Sequence, residues 1–378
     1  MSSSVIHMSS SRDSLMGVLS MKGGDGEHSY ANNSEGQKSV ASNAKPVVVE
    51  NVKEMIVKMD FPSCIKVADL GCSSGENTLV VMSEIVNTII ATYQQKSKNP
   101  PEIVCCLNDL PDNDFNTTFK LIPAFHKKLK MNVKEKCFIS GVPGSFYSRL
   151  FPSKSLHFFH SSLCLHWLSK VPDGIEANKK NIYLRSPCPP SVYKSYLNQF
   201  KDDFSLFLRM RAEETIPNGR MALTLVGRKA VDPLSKDCFQ NWSVISDSLV
   251  DLVSEGVVKE SDMESFNLPF YNPDESEVRK VIENEGSFEI NNFKTIFGLL
   301  FSYKTGLTEV KDDDLNRFEV IKKRTNIIRS ITEPMLAAHF GDTVMDRLFD
   351  KYTYNLAQRY DTLRNIPTVQ FFVSLTRK

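Results

Sequence analysis

Residues Ile65–Asn77 read IKVADLGCSSGEN, and the fold follows from them. Val67–Leu70 is a short apolar run containing one acid, Asp69, and Gly71 and Gly75 flank a loop of small residues. From Asn77 an apolar-periodic segment begins with Leu79, Val80, Ile85, Val86, Ile89 and Ile90. Strand, glycine turn and helix in that order are how an open α/β sheet holds a nucleotide-like ligand. The glycines let backbone N–H groups approach the ligand, and the helix N-terminus faces it.

The flanking sequence repeats the alternation. A helix is expected from Ser34 to about Met59, and strands at Glu102–Leu107, Cys137–Val142, Ser155–His160 and Met221–Val226. A long helix is expected from Ser191 to about Thr215, and two more over Cys238–Glu255 and Asp274–Glu285. Asp312–Phe349 reads as at least two helices broken near Glu333-Pro334, and Val369–Leu375 as a last strand. Strands alternating with helices give an α/β fold with a mostly parallel sheet, interrupted by helical insertions that cap its carboxyl edge.

Composition narrows the function. The 378 residues are long enough for a sizeable core, and the net charge of +1 provides no field for nucleic acid. No apolar run approaches a membrane span. The eight cysteines show neither CxxC pairs nor metal-ligand spacing, so reduced thiols in a cytoplasmic protein are expected. Residues 1–20, rich in serine, read as a disordered tail.

The chemistry gathers at strand ends. The dinucleotide fingerprint G-x-G-x-x-G and the P-loop lysine are both absent. Asp109, at the end of the next strand, is placed to accept ribose hydroxyls, so Asp69, Gly71, Gly75 and Asp109 together suggest a nucleoside site. Ser145-Phe146 follows Gly144 at a third strand end and offers an aromatic face for an adenine. His166-Trp167 stands after a fourth; the indole can cover a flat ligand and donate one hydrogen bond. No nucleophile elbow occurs near Ser161 or Ser162.

MKGGDGEHSYANNS, DLGCSSGENT, NDLPDNDFN, GVPGSFYSRLFP, SSLCLHWLSKVP, ESFNLPFYNP and the final FFVSLTRK, in this order, resemble the plant SABATH methyltransferases. That family includes salicylate, benzoate and jasmonate carboxyl methyltransferases and the caffeine and theobromine synthases. The resemblance implies a Rossmann-like class I methyltransferase core under an α-helical cap, S-adenosylmethionine (SAM) as donor with S-adenosylhomocysteine (SAH) as product, a small-molecule acceptor, and a homodimer. It places the core at 21–171, completed by about 216–230, 286–304 and 366–378. The cap falls at 172–215, 231–285 and 305–365.

Residue by residue, the resemblance implies SAM contacts at Tyr30, Ser34, Cys72, Asn77, Asp109, Leu110, Ser145 and Phe146. It implies acceptor contacts at Tyr30, Gln37, Leu163, His166, Trp167, Val226, Asn241, Trp242, Tyr271, Ile328 and Thr368, with His166 and Trp167 nearest the reaction. A Mg2+ position of some members corresponds to Asn178, Glu264, Phe266 and Asn267, although Asp is usual where Glu264 stands.

Salicylate-type members carry apolar or aromatic side chains at the positions of Leu163, His166, Asn241, Ile328 and Thr368; this chain departs at all five, three times to a polar residue. Polar groups in a pocket call for a polar ligand. The segments MDRLFDKYT and CPPSVY also look closer to the caffeine-synthase branch. The expectation is therefore N-methylation of a xanthine alkaloid, with His166 as base or orienting group. The alternative is carboxyl O-methylation of a salicylate- or benzoate-like or other small plant acid. A SAM-binding protein without turnover is disfavoured by its complete set of donor-side motifs.

Overall fold

The computed structural model describes residues 19–129, 135–229, 240–299 and 314–378. Most of the serine-rich tail therefore lies outside the described residues.

Seven strands form one sheet: β1 (Cys64–Leu70), β2 (Glu102–Asp109), β3 (Cys137–Pro143), β4 (Leu156–Ser162), β5 (Thr215–Gly227), β6 (Phe288–Leu299) and β7 (Pro367–Arg377). Their spatial order is β3-β2-β1-β4-β5-β7-β6, with only β7 antiparallel to its neighbours. The strand order reverses between β1 and β4, which opens a crevice outside their carboxyl ends. β1 is buried on both faces, as a central parallel strand must be.

On one face, α1 (Glu35–Lys58) and α2 (Asn77–Gln95) cover the parallel half of the sheet. Leu79, Met82, Ile85, Val86, Ile89 and Tyr93 recur at intervals of three and four along α2 and are all buried against it. Two short helices, α3 (Phe115–Phe119) and α4 (Ile122–Lys128), follow β2. The opposite face takes α5 (Pro190–Glu214), whose Val192, Tyr196, Phe200, Phe204, Phe207 and Leu208 are buried in the larger core.

Helices α6 (Gln240–Ser254), α7 (Glu260–Ser265), α8 (Glu275–Glu285), α9 (Asp314–Phe340), α10 (Asp342–Gln358) and α11 (Tyr360–Leu363) make up the insertions. No described helix is long and apolar enough to cross a membrane.

One expectation needs correction. The helix expected to break near Glu333-Pro334 continues through it as α9 and ends at Gly341, whose φ is +89°. A proline inside a helix frees the carbonyl four residues back, here that of Ser330. The Lys22 N–H donates to that carbonyl at 2.9 Å, so the N-terminal segment takes the bond that Pro334 cannot make. β6 is not among the strands expected from the sequence, because periodicity alone does not reveal it. Its Asn291-Asn292 pair resembles a turn, yet it falls at an irregularity in register with β7 between Ile290 and Asn292.

The deepest ion pair joins Arg211 to Glu214, both fully buried, at 2.7 Å. Glu214 Oε1 also accepts from the N–H groups of Leu150 and Phe151, while Arg211 donates to the carbonyls of Phe146 and Ser148. The pair thus fastens the loop after β3 to the end of α5. Arg211→Met strands a buried carboxylate and is expected to cost about 3–5 kcal/mol. Urea unfolding reads this as a lowered midpoint; an unchanged midpoint would remove the pair from the supports of the fold.

Candidate active site

At the end of β1 the chain turns at Gly71, where φ is +77°. The N–H groups of Gly71 and Cys72 both donate to the Asn108 carbonyl at 2.9 Å. A Cβ on Gly71 would lie 2.3 Å from the Cys164 sulfur and 3.7 Å from the Phe146 ring, so no larger residue fits between these loops. Asp109, next after Asn108, accepts from the Ser73 N–H at 2.6 Å and the Leu110 N–H at 2.8 Å. Burial pushes its carboxyl up to about 6, with those two N–H groups working against the rise.

Asn108 also donates through its side chain to the carbonyls of Val142 and Gly144, drawing Ser145 and Phe146 alongside Asp109. Phe146 is held edge-on by Tyr147 and Phe207. The Asp109 carboxylate, the Phe146 ring and the Gly71 turn line one cavity of about 1030 Å³, so the residues present fit a SAM-sized nucleoside.

Of the donor-side residues, Tyr30, Asp109, Leu110, Ser145 and Phe146 line this cavity. Burial pushes the Tyr30 phenol well up, keeping it neutral. Ser34, Cys72 and Asn77 sit behind the wall. The Asn77 side chain donates to the Ser34 carbonyl and hydroxyl at 3.0 and 2.9 Å, which ties the start of α2 to the start of α1.

The other end of the cavity is aromatic. After β4, Leu163 adopts φ +58° and its N–H reaches the Thr224 carbonyl at 2.8 Å, so the next turn projects His166 and Trp167 into the cavity. Phe270 is the hub: its ring lies 4.9 Å from His166, 5.1 Å from Trp242 and 5.3 Å from Trp167. Neither Phe270 nor Tyr147, whose hydroxyl donates to the Trp167 carbonyl at 2.7 Å, was singled out from sequence. ESFNLPFYNP contained Phe270, but periodicity does not mark a loop residue.

His166 is buried and its Nδ1 has no hydrogen-bond partner among the described residues. Burial pulls its pKa down to about 3, so the imidazole is neutral. Gln37, Leu163, Val226, Trp242, Ile328 and Thr368 also line the cavity, and the buried Gln37 Oε1 has no described partner. The side chain of Asn241 lies outside the described residues.

Tyr271 is not in the wall. Its hydroxyl meets Arg228, Glu277 and Tyr193 at 3.1, 3.1 and 3.3 Å in a buried network behind Phe270. Glu277 is also the reciprocal partner of Asp274 in the capping box of α8, so one carboxylate starts that helix and braces the wall.

The Mg2+ positions do not form an ion-binding set. Asn178 Nδ2 donates to Asn267 Oδ1 at 2.7 Å, occupying the oxygen a cation would need. The one carboxylate, Glu264, faces Lys179 at 3.5 Å, and no group of three His, Cys, Asp or Glu able to hold a metal occurs among the described residues. No step below involves a metal.

The family model for SAM-dependent carboxyl methyltransferases matches residues 16–378. A salicylate/benzoate carboxyl methyltransferase of Arabidopsis thaliana is 53% identical over 96% of this chain and 93% of its own length. A salicylate carboxymethyltransferase of Clarkia breweri is 40% identical over 96% and 98%. Among solved structures, a loganic acid methyltransferase with SAH superposes with a TM-score of 0.82, at 33% identity over 95% of this chain and 98% of that one.

These relatives overturn the expectation of xanthine N-methylation and of a caffeine-synthase affinity. The physical reason lies at His166. Removing a ring N–H proton calls for a base titrating near the working pH, and a buried imidazole at about 3 is far too weak.

Two predictions follow from the donor side. Gly71→Ala and Gly256→Ala both place Cβ on a residue of positive φ, but only Gly71 faces a collision. Gly71→Ala is expected to abolish SAM binding in calorimetry while Gly256→Ala keeps it; equal affinities would show that backbone strain alone matters.

The second concerns pH. Asp109 takes up its proton as pH falls through about 6, and only its ionised form offers both oxygens as acceptors for the ribose hydroxyls that the resemblance assigns to it. SAM affinity is expected to be level above pH 7 and to fall by up to about tenfold per unit below pH 6. Asp109→Asn should bind weakly with no such slope, and a wild-type profile that stays level would remove Asp109 from the ribose contact.

Proposed function

The chain belongs to the family of SAM-dependent carboxyl methyltransferases, and from that membership we propose that it esterifies a salicylate- or benzoate-like or other small acid. When bound, the donor supplies a methyl group made electrophilic by its sulfonium. The chain adds position, desolvation and hydrogen bonds. A carboxylate is already ionised at neutral pH, so this reaction asks for no base, whereas a ring N–H would.

The observation that carries the reading is the neutral, buried His166 beside Trp167 and Gln37 in one cavity. The indole N–H and the Gln37 amide N–H are donors suited to two carboxylate oxygens. A neutral His166 hydrogen-bonds the acceptor and fixes its ring without bringing a competing charge. The Phe270 cluster sheathes the acceptor and excludes water. Alignment of this kind is worth roughly 7–11 kcal/mol in favourable intramolecular systems. That range is large enough for positioning to supply most of the rate without acid–base help.

The resemblance further supports a homodimer, with the helical segments serving as a cap over the acceptor, and the cysteine usage supports a cytoplasmic location. The seven described cysteines are all free, in keeping with a reducing compartment.

The test is a radiolabelled-SAM assay on salicylate, benzoate, jasmonate, xanthine and theobromine. Base-labile methyl esters are expected from at least one acid and no product from the purines. Base-stable product from a purine, with none from any acid, would overturn the reading. Turnover of the favoured acid should also show no basic limb between pH 6 and 8 attributable to His166, so His166→Gln should leave the shape of that profile unchanged.

A further inference from the structure

We propose that the acceptor chamber continues into a distal subsite between α1 and the β6–β7 pair, built for an anionic tail on the acid remote from its reacting carboxylate. The proposal rests on the carboxylate reading and names the class of acid the site takes.

The cavity that holds Trp167 and Phe146 is lined at its far side by Ser39, Val40 and Asn43 of α1 and by Lys294, Ile296 and Gln370 of the two strands. Register explains the continuity. Gln370 pairs with Val226 on one side and Ile296 on the other, so these three share one face of the sheet. That row leads from the acceptor wall at Val226 outward, and Lys294 lies two residues along from Ile296 on the same face.

The chemistry of the row is graded. Val40 and Ile296 pack beside Ala44, Val47 and Phe372, which gives an apolar floor. Gln370 carries a buried Oε1 with no partner among the described residues, an acceptor waiting for a donor. Asn43 and Lys294 are exposed at the outer end, and the Lys294 ammonium has no carboxylate within 4 Å among the described residues. A hydrogen-bond donor, an apolar spacer and then an anion, read from the aromatic ring outward, is the tail that matches.

The probes are benzoate, 4-butanamidobenzoate and 4-(3-sulfopropanamido)benzoate, whose sulfonate provides charge without a second methylatable carboxylate. The kcat/KM of each is measured in the wild type, Lys294→Glu and Gln370→Leu, with SAH affinity as the check on folding. Lys294→Glu is expected to lower the ratio of sulfonate to butanamide acid by about tenfold or more. Gln370→Leu is expected to lower both amide acids relative to benzoate.

If each variant changes all three acids by the same factor, the cleft is only an entry channel and the subsite is overturned; unchanged ratios overturn it equally. Should no acid be methylated, the carboxylate reading fails on its own. Calorimetry of the sulfonate acid with the SAH-loaded protein then decides the subsite: weaker binding in Lys294→Glu supports it, and equal binding overturns it.

Discussion

Asn108 holds three strand ends in one place. Its carbonyl accepts from Gly71 and Cys72 after β1, and its side-chain amide donates to Val142 and Gly144 at the end of β3. The residue is fully buried, so these bonds are shielded from water. What Asn108 secures is the spacing of the glycine turn, the Asp109 carboxylate and the Ser145-Phe146 loop. The buried Arg211–Glu214 pair completes the device by fastening the same loop from below.

The donor half of the site was legible because its parts are local. Asp109 follows its strand directly, Gly71 and Gly75 bracket a turn, and each can be read within a dozen residues. Such features depend on backbone conformation, and backbone conformation is what glycine, asparagine and strand ends encode. The acceptor half is assembled from residues far apart in the chain. Phe270 reaches His166 and Trp167 because the two loops pair through their backbones, Leu168 N–H to the Pro269 carbonyl and Tyr271 N–H to the His166 carbonyl, while Arg228 braces the far end of the 266–274 loop; no periodicity announces such pairing. The course of α9 through Pro334 was hidden for the same reason: the group that satisfies Ser330 comes from Lys22.

The misassigned acceptor has a related cause. The polar residues at His166, Asn241 and Thr368 suggest partners for a heterocycle with several carbonyls, on the ground that buried polar groups must be paired. The premise holds, but it does not identify the partner, because charge state matters as much as hydrogen-bond count. Buried against Phe270, His166 loses its basicity and remains a neutral donor or acceptor. In that state it suits a carboxylate at least as well as a purine, because it adds no charge and abstracts no proton.

The same reasoning explains how one donor site serves different acids. Most of the groups placed for the nucleoside are set by β1, β2 and the loop after β3, and the turn among them leaves little room for change: a Cβ on Gly71 would already collide with Cys164. The acceptor wall is drawn instead from the loop after β4, the ends of β5 to β7, and helices α1, α6 and α9. Substitutions there alter volume and polarity without disturbing the Asn108 junction. Selectivity can therefore drift along the Val226–Gln370–Ile296 row while the geometry of methyl transfer stays fixed.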